Sequence, residues 1–238
     1  MSGDDYLSDY KRSNAIDLTG GLGGYVRRRL DSKAIASGQG DRHALFVPRV
    51  LRLANIELET PTTVLELGCG SGWAISYRHP SLRYIAVDRG SIYRSALEAR
   101  GVEFHEADVA KDALPLRDGS VDLIILNHII EHIAESEFLV RELRRVMRPK
   151  GMIYIRTPNL KRVKWAFWDD YTHVKPFTVQ GLDHLMRSVG FARRFMFHSD
   201  HPRIMVDTMT GGWLSGLLFN NVLGRKEIEA GYSLDSHD

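Results

Sequence analysis

Three glycines spaced one residue apart, Gly68, Gly70 and Gly72, follow the run Val64-Leu65-Glu66-Leu67 and constrain this chain more than any other feature. A mostly apolar run of that length describes a strand of a parallel sheet, buried on both faces. Glycines directly after it allow a sharp turn and let a ligand approach the backbone before a helix begins. Cys69 lies inside the turn. The spacing is Gly-x-Gly-x-Gly with Glu66 two residues ahead, not the Gly-x-Gly-x-x-Gly of dinucleotide sites. A pyrophosphate requires bare amides at a helix N-terminus and is repelled by a carboxylate, whereas an ammonium or sulfonium group is attracted to one. Glu66 therefore argues for a cationic nucleoside. A purely structural strand-to-helix turn would use the same three glycines.

Downstream, strands and helices alternate. Arg83–Val87 reads as a second strand ending at Asp88, with Arg89 beside it; Asp88 falls 20 residues after Gly68, near the spacing at which an acid receives both hydroxyls of a ribose. The lesser alternative is that Asp88 caps the helix that follows, 91–100, for which Ser91 is a second candidate. Val102–His105, Val121–Leu126 and Met152–Thr157 read as further strands, and 135–147 as an amphipathic helix. Ahead of the glycine turn, apolar residues at helical spacing predict a helix from about Phe46, with Pro48 in its first turn. Thr178 can cap a later helix stopped by Gly190. Two antiparallel strands, 192–198 and 203–209, would close the sheet. The expected fold is α/β, a doubly wound and mostly parallel seven-stranded sheet with a C-terminal antiparallel strand pair.

With 238 residues, 43% hydrophobic and 26% charged, there is room for one full-sized α/β domain plus peripheral elements. The predicted division is a cover segment 1–43, a catalytic domain 44–210 with an insertion at 160–177, and an extension 211–238. A net charge of +2 is too mild to indicate a nucleic-acid partner. The single cysteine excludes an internal disulfide and a cysteine metal cluster. The N-terminus is polar and acidic, and no apolar stretch reaches about 18 residues, so neither a signal peptide nor a membrane span is expected. A cytoplasmic location fits these features.

The order of motifs, an acid then Gly-x-Gly-x-Gly, Asp88, the run Ala107-Asp108-Val109 and the turn Asp118-Gly119-Ser120 before the fourth strand, resembles the class I S-adenosylmethionine-dependent methyltransferases over roughly residues 60–210. The resemblance implies a Rossmann-like sheet and S-adenosylmethionine as cofactor. By position, Glu66, Gly68, Cys69, Gly70 and Gly72 would line its methionine and ribose part, Asp88 and Arg89 the ribose, and Asp108 with Val109 the adenine. Asn127 and His128 would lie beside the transferring methyl. Some quinone-ring methyltransferases carry a related Glu-His pair with a divalent ion. Glu131 and His132 are adjacent and need not converge, so no metal is assigned.

A hydroxyl or amine acceptor must also lose a proton, and histidine titrates in the useful range. His132, after the fourth strand, is the first candidate base; His173, in the insertion, is the second. Lys161, Arg162, Trp165, Trp168, Asp170 and Tyr171 make the insertion polar and aromatic, as a substrate-shaping loop would be. The run Asp170–Thr178 is similar to a subset of bacterial methyltransferases found with glycan and sugar-nucleotide biosynthesis, which implies a small-molecule or glycan acceptor. Two alternatives stand beside this reading. One is an NAD-dependent oxidoreductase or epimerase, which Glu66 and the glycine spacing disfavour. The other is a catalytically silent methyltransferase-like scaffold. The apolar stretch within 211–224 could pack on its own domain, serve as a lid, form a dimer contact or touch a membrane surface.

Overall fold

The computed structural model describes residues 46–72, 74–199 and 227–234. The first helix, α1 (Phe46–Leu53), starts where Pro48 occupies its first turn, and it buries Val47, Val50 and Leu51. Strands β1 (Thr62–Leu67), β2 (Leu82–Asp88), β3 (Glu103–Glu106) and β4 (Val121–Asn127) all run parallel. Between them lie a short 3-10 turn, Ala74–Ser76, and α2 (Arg94–Glu98). A second 3-10 turn (Ile130–His132) leads to α3 (Ser136–Val146), and β5 (Met147–Pro158) pairs parallel to β4.

The insertion follows: α4 (Leu160–Val163), a 3-10 turn (Lys164–Asp169), then α5 (Val179–Ser188). Two strands remain, β6 (Phe191–Ser199) and β7 (Glu227–Leu234). The sheet order is β3-β2-β1-β4-β5-β7-β6, with β7 antiparallel to both neighbours. This is the expected doubly wound seven-stranded sheet, and its order reverses between β1 and β4. In open α/β sheets ligands bind at the carboxyl ends of the strands beside such a switch point.

Alternation along each strand builds two cores. Leu65, Leu67, Val87, Ile124, Leu126, Ile153 and Ile155 meet α3 and α5 through Leu139, Leu143, Leu182 and Met186. Val64, Tyr84, Ala86, Leu123, Ile125 and Tyr154 meet α1 through Val47 and Val50, and α2 through Leu97. Each fully buried large apolar side chain contributes roughly 2 kcal/mol.

The seventh strand departs from expectation. The partner of β6 is Glu227–Leu234, so the sheet reaches into the segment set apart as an extension. The run 203–209 lies outside the described residues, as do the cover segment 1–43 and the contact expected within 211–224. In β7 only Ile228, Ala230 and Tyr232 are apolar among the buried positions. The buried Glu229 is held by the Arg49 guanidinium at 2.6 Å and the Tyr154 hydroxyl at 2.8 Å, which makes an acid tolerable in a central strand. At Gly231 a Cβ would sit 2.2 Å from the Phe195 ring, so the strand's least strand-like residue is required by its neighbour.

Candidate functional site

The site is assembled by strand register. Leu67 lies opposite Val87 and Leu126, and Asp88 opposite Glu106, so the segments after β1, β2, β3 and β4 emerge side by side. In the turn after β1, Gly68, Gly70 and Gly72 all have positive φ, +58°, +50° and +86°. At Gly68 a Cβ would stand 1.8 Å from Ile129 Cδ1, so the segment after β4 closes against bare backbone. Asp88 accepts from the backbone N–H of Gly70 and of Gly90, one per carboxylate oxygen, each at 3.0 Å. Cys69 Sγ is 3.9 Å from the same carboxylate. Glu66 is buried and accepts from Ala74 N–H at 3.1 Å, which ties the glycine turn to the 3-10 turn that follows.

Asp108 accepts from Ala110 N–H at 3.1 Å and pairs with Lys111 at 3.2 Å. Partial burial would raise its pKa, but these two partners outweigh it and hold the carboxyl below the usual range. Val109 is buried beside it, and Arg89 is exposed. Asn127 Oδ1 is buried and lacks a hydrogen-bond partner among the described residues. An acceptor atom in that condition suits a ligand that brings a donor. The cradle of positive-φ glycines, the Asp88 carboxylate and Asn127 together fit S-adenosylmethionine.

His128, expected beside the transferring methyl, is held between two carboxylates. Its φ is +57°, its Nδ1 lies 3.1 Å from Glu131 Oε1, and its Nε2 lies 3.2 Å from Glu227 Oε1. Burial alone would lower its pKa; the bonds to the two carboxylates prevail and push it up to about 9. Glu131, wholly buried, is held below the usual carboxylate range because the bond to His128 overcomes burial, and it also accepts from Thr157 Oγ1 at 3.0 Å. His128 is thus a fixed imidazolium with both ring nitrogens engaged.

The two candidate bases meet. The rings of His132 and His173 lie 4.8 Å apart, centroid to centroid. His132 Nδ1 is 3.0 Å from the Thr172 carbonyl, and His173 Nδ1 is 2.7 Å from the Phe167 carbonyl. A carbonyl only accepts, so each Nδ1 donates to it, and each Nε2 is turned away from that bond. Phe167 stacks on His173 at 4.5 Å. Asp170 is turned inward, accepting from the backbone N–H and hydroxyl of Thr172, with its other oxygen 3.8 Å from His173 Nε2. Glu131, His132 and His173 each offer a ligand atom, all within 4.8 Å of one another, so they do converge and could hold a divalent cation.

The remaining residues expected to bind the acceptor face outward. Trp165 is 85% exposed, Tyr171 69% and Trp168 48%, and Lys161 and Arg162 are exposed. Sequence reasoning missed Thr157, Thr172, Phe167 and Glu227. The first three act through a hydroxyl, a carbonyl or a ring face, for which no spacing rule exists, and Glu227 comes from β7.

The methyltransferase-domain family matches residues 39–193. A "Probable S-adenosylmethionine-dependent methyltransferase" of Mycobacterium tuberculosis is 34% identical over 164 residues, 64% of this chain and 58% of that protein. A malonyl-[acyl-carrier protein] O-methyltransferase of a Methylovorus species is 28% identical over 73% of this chain and 60% of that protein. The matches thus span about three fifths of these relatives' length. Among solved structures, an S-adenosylmethionine-dependent methyltransferase from Mesorhizobium loti superposes with a TM-score of 0.60 at 18% identity, covering 78% of this chain and 96% of that one. The sheet order with its switch point, the turn of positive-φ glycines and the family match agree: the chain belongs to the methyltransferase-domain family, whose cofactor is S-adenosylmethionine.

Proposed function

We propose that this protein transfers a methyl group from S-adenosylmethionine to a hydroxyl or amine of a small-molecule or sugar-like acceptor, with His132 as general base. The observation that carries this reading is the tethering of His132 Nδ1 to the Thr172 carbonyl, which leaves Nε2 as a proton acceptor beside the end of β4. When bound, the cofactor supplies an electrophilic methyl on a sulfonium and leaves as a neutral thioether. Glu66, Gly68, Cys69, Gly70 and Gly72 would hold its methionine and ribose portion, Asp88 and Arg89 its ribose, Asp108 and Val109 its adenine, and Asn127 and His128 the region of the methyl. His132 Nε2 takes the acceptor's proton, and His173, braced by Phe167, supports it. Lys161, Arg162, Trp165, Trp168 and Tyr171 form the outer wall that the acceptor meets, and Asp170 fixes Thr172 behind His132. The Methylovorus relative, an O-methyltransferase by name, supports oxygen as the acceptor atom.

A second reading rests on the convergence of Glu131, His132 and His173. A divalent cation held by these three residues would engage both imidazoles and lower the acceptor's own pKa, so that His132 need not act as the base. One experiment separates the two. Release of S-adenosylhomocysteine is measured over a panel of hydroxyl and amine acceptors, for wild type and His132→Gln, with and without chelator. The base reading expects a loss of about a hundredfold or more in kcat for the variant, unchanged S-adenosylhomocysteine affinity by calorimetry, and no effect of chelator. Activity that chelation abolishes and added metal restores would establish the cation instead. If wild type binds no S-adenosylhomocysteine, methyl transfer is excluded.

A further inference from the structure

Six large apolar side chains stand exposed among the described residues: Ile92, Phe138, Trp165, Trp168, Tyr171 and Val174. Four of the six fall within 165–174. A cluster of this kind, unlike scattered single residues, marks a surface that meets a partner. The loop that displays it is held from within. Phe167 is buried, edge-on to Trp168 at 5.0 Å and stacked on His173. The backbone N–H groups of Val174 and Lys175 both donate to the Glu131 carbonyl at 3.0 Å. With the inner side of the loop anchored in this way, Trp165, Trp168 and Tyr171 stand exposed.

Charge says what the partner is. Lys161, Arg162 and Lys164 are exposed directly ahead of the aromatic residues. Of the two acids in the insertion, Asp170 is turned inward onto Thr172, and Asp169 alone faces out. The exposed side chains of residues 161–174 therefore combine indole and phenol rings, an aliphatic tip and an excess of cations. Tryptophan and tyrosine favour the boundary between water and hydrocarbon because each has an apolar body and a polar end. Lysine and arginine beside them are attracted to lipid phosphates. Val174 gains by entering lipid and gains nothing from stacking on nucleic-acid bases.

We propose that residues 161–174 seat this protein on an anionic lipid bilayer, with Trp165, Trp168, Tyr171 and Val174 in the headgroup layer and Lys161, Arg162 and Lys164 against the phosphates. His173 belongs to the same loop, so docking brings the His132–His173 pair to the membrane surface. If the methyl-transfer reading holds, the acceptor is an amphiphile whose polar end reaches that pair from the bilayer.

The test is co-sedimentation of the full chain with vesicles of phosphatidylcholine alone and of phosphatidylcholine mixed with phosphatidylglycerol. Wild type is compared with Trp165→Ser/Trp168→Ser and with Lys161→Gln/Arg162→Gln, and calorimetry with S-adenosylhomocysteine reports that the variants remain folded. The expected result is binding to the anionic vesicles that falls with salt, is lost in the tryptophan variant, and weakens by about tenfold or more in the charge variant. Absence of binding to the mixed vesicles, or equal binding by wild type and both variants, overturns the proposal. So does a single-stranded RNA probe that binds in place of vesicles and is lost in the same variants. Vesicle binding by a protein that does not bind S-adenosylhomocysteine would keep this inference and remove methyl transfer.

Discussion

At the scale of single residues, His128 makes stability depend on pH. Its folded pKa, about 9, lies above the ordinary value of 6.5. A group shifted in that direction contributes fully below about pH 6.5, and the contribution is lost as pH rises through about 9. Urea unfolding of wild type and His128→Asn across that window should therefore show a wild-type advantage that is largest at the acid end and fades above about pH 9. A difference that grows with pH would mean that the imidazolium is not what Glu131 and Glu227 hold. The charge on His128 was not legible in the sequence, because one of its two carboxylates arrives from β7. The meeting of His132 with His173 was equally hidden: each is recognisable alone, and only the folding of the insertion brings the rings together. The glycine turn was legible to the residue, because positive φ and the approach of Ile129 leave glycine no substitute at position 68. The ends of β1 to β4, after which the sequence motifs fall, emerge side by side, and Asp88 and Glu66 bond to backbone amides there.

Among the elements, those with long apolar periodicity were read closely. Helix α5 begins where Thr178 was expected to cap it, with the Thr178 hydroxyl accepting from Gly181 N–H at 3.1 Å. Thr178→Ala should cost about 1 kcal/mol and should speed amide exchange in the first turn of α5 while leaving β1–β4 protected. Exchange rates unchanged there would show that packing of Leu182 and Met186 alone defines the start of the helix. Helix α2 is shorter than its sequence suggested, Arg94–Glu98 in place of 91–100, and Tyr93 precedes it without a side-chain cap. Neither Asp88 nor Ser91 caps it, since the Asp88 carboxylate serves the glycine turn and Gly90. Strand β7 was misplaced for a reason of the same kind. An acid and a glycine argue against a central strand unless a buried arginine and an intruding phenylalanine ring are already known to be there.

Across the whole molecule, Arg49 of α1 and Glu229 of β7 join the two ends of the described chain through a buried ion pair, with Tyr154 of β5 as third partner. Removing one member strands the other charge in the interior, so Glu229→Gln should lower unfolding stability by about 3–5 kcal/mol. The double variant Arg49→Met/Glu229→Gln should recover part of that loss, because the pair costs desolvation to bury. Denaturant titration of the two variants checks this, and a double variant no more stable than the single one would show that the arginine serves packing and not charge. The position of β7 also dictates an order of events during synthesis. It lies between β5 and β6 but follows both in the chain, so among the described residues β6 gains its sheet partner only when the ribosome has delivered residues 227–234. A nascent chain of this protein can lay down β1 to β5 early, and must then keep the free edge of β5 unclaimed until β7 arrives to fill the gap.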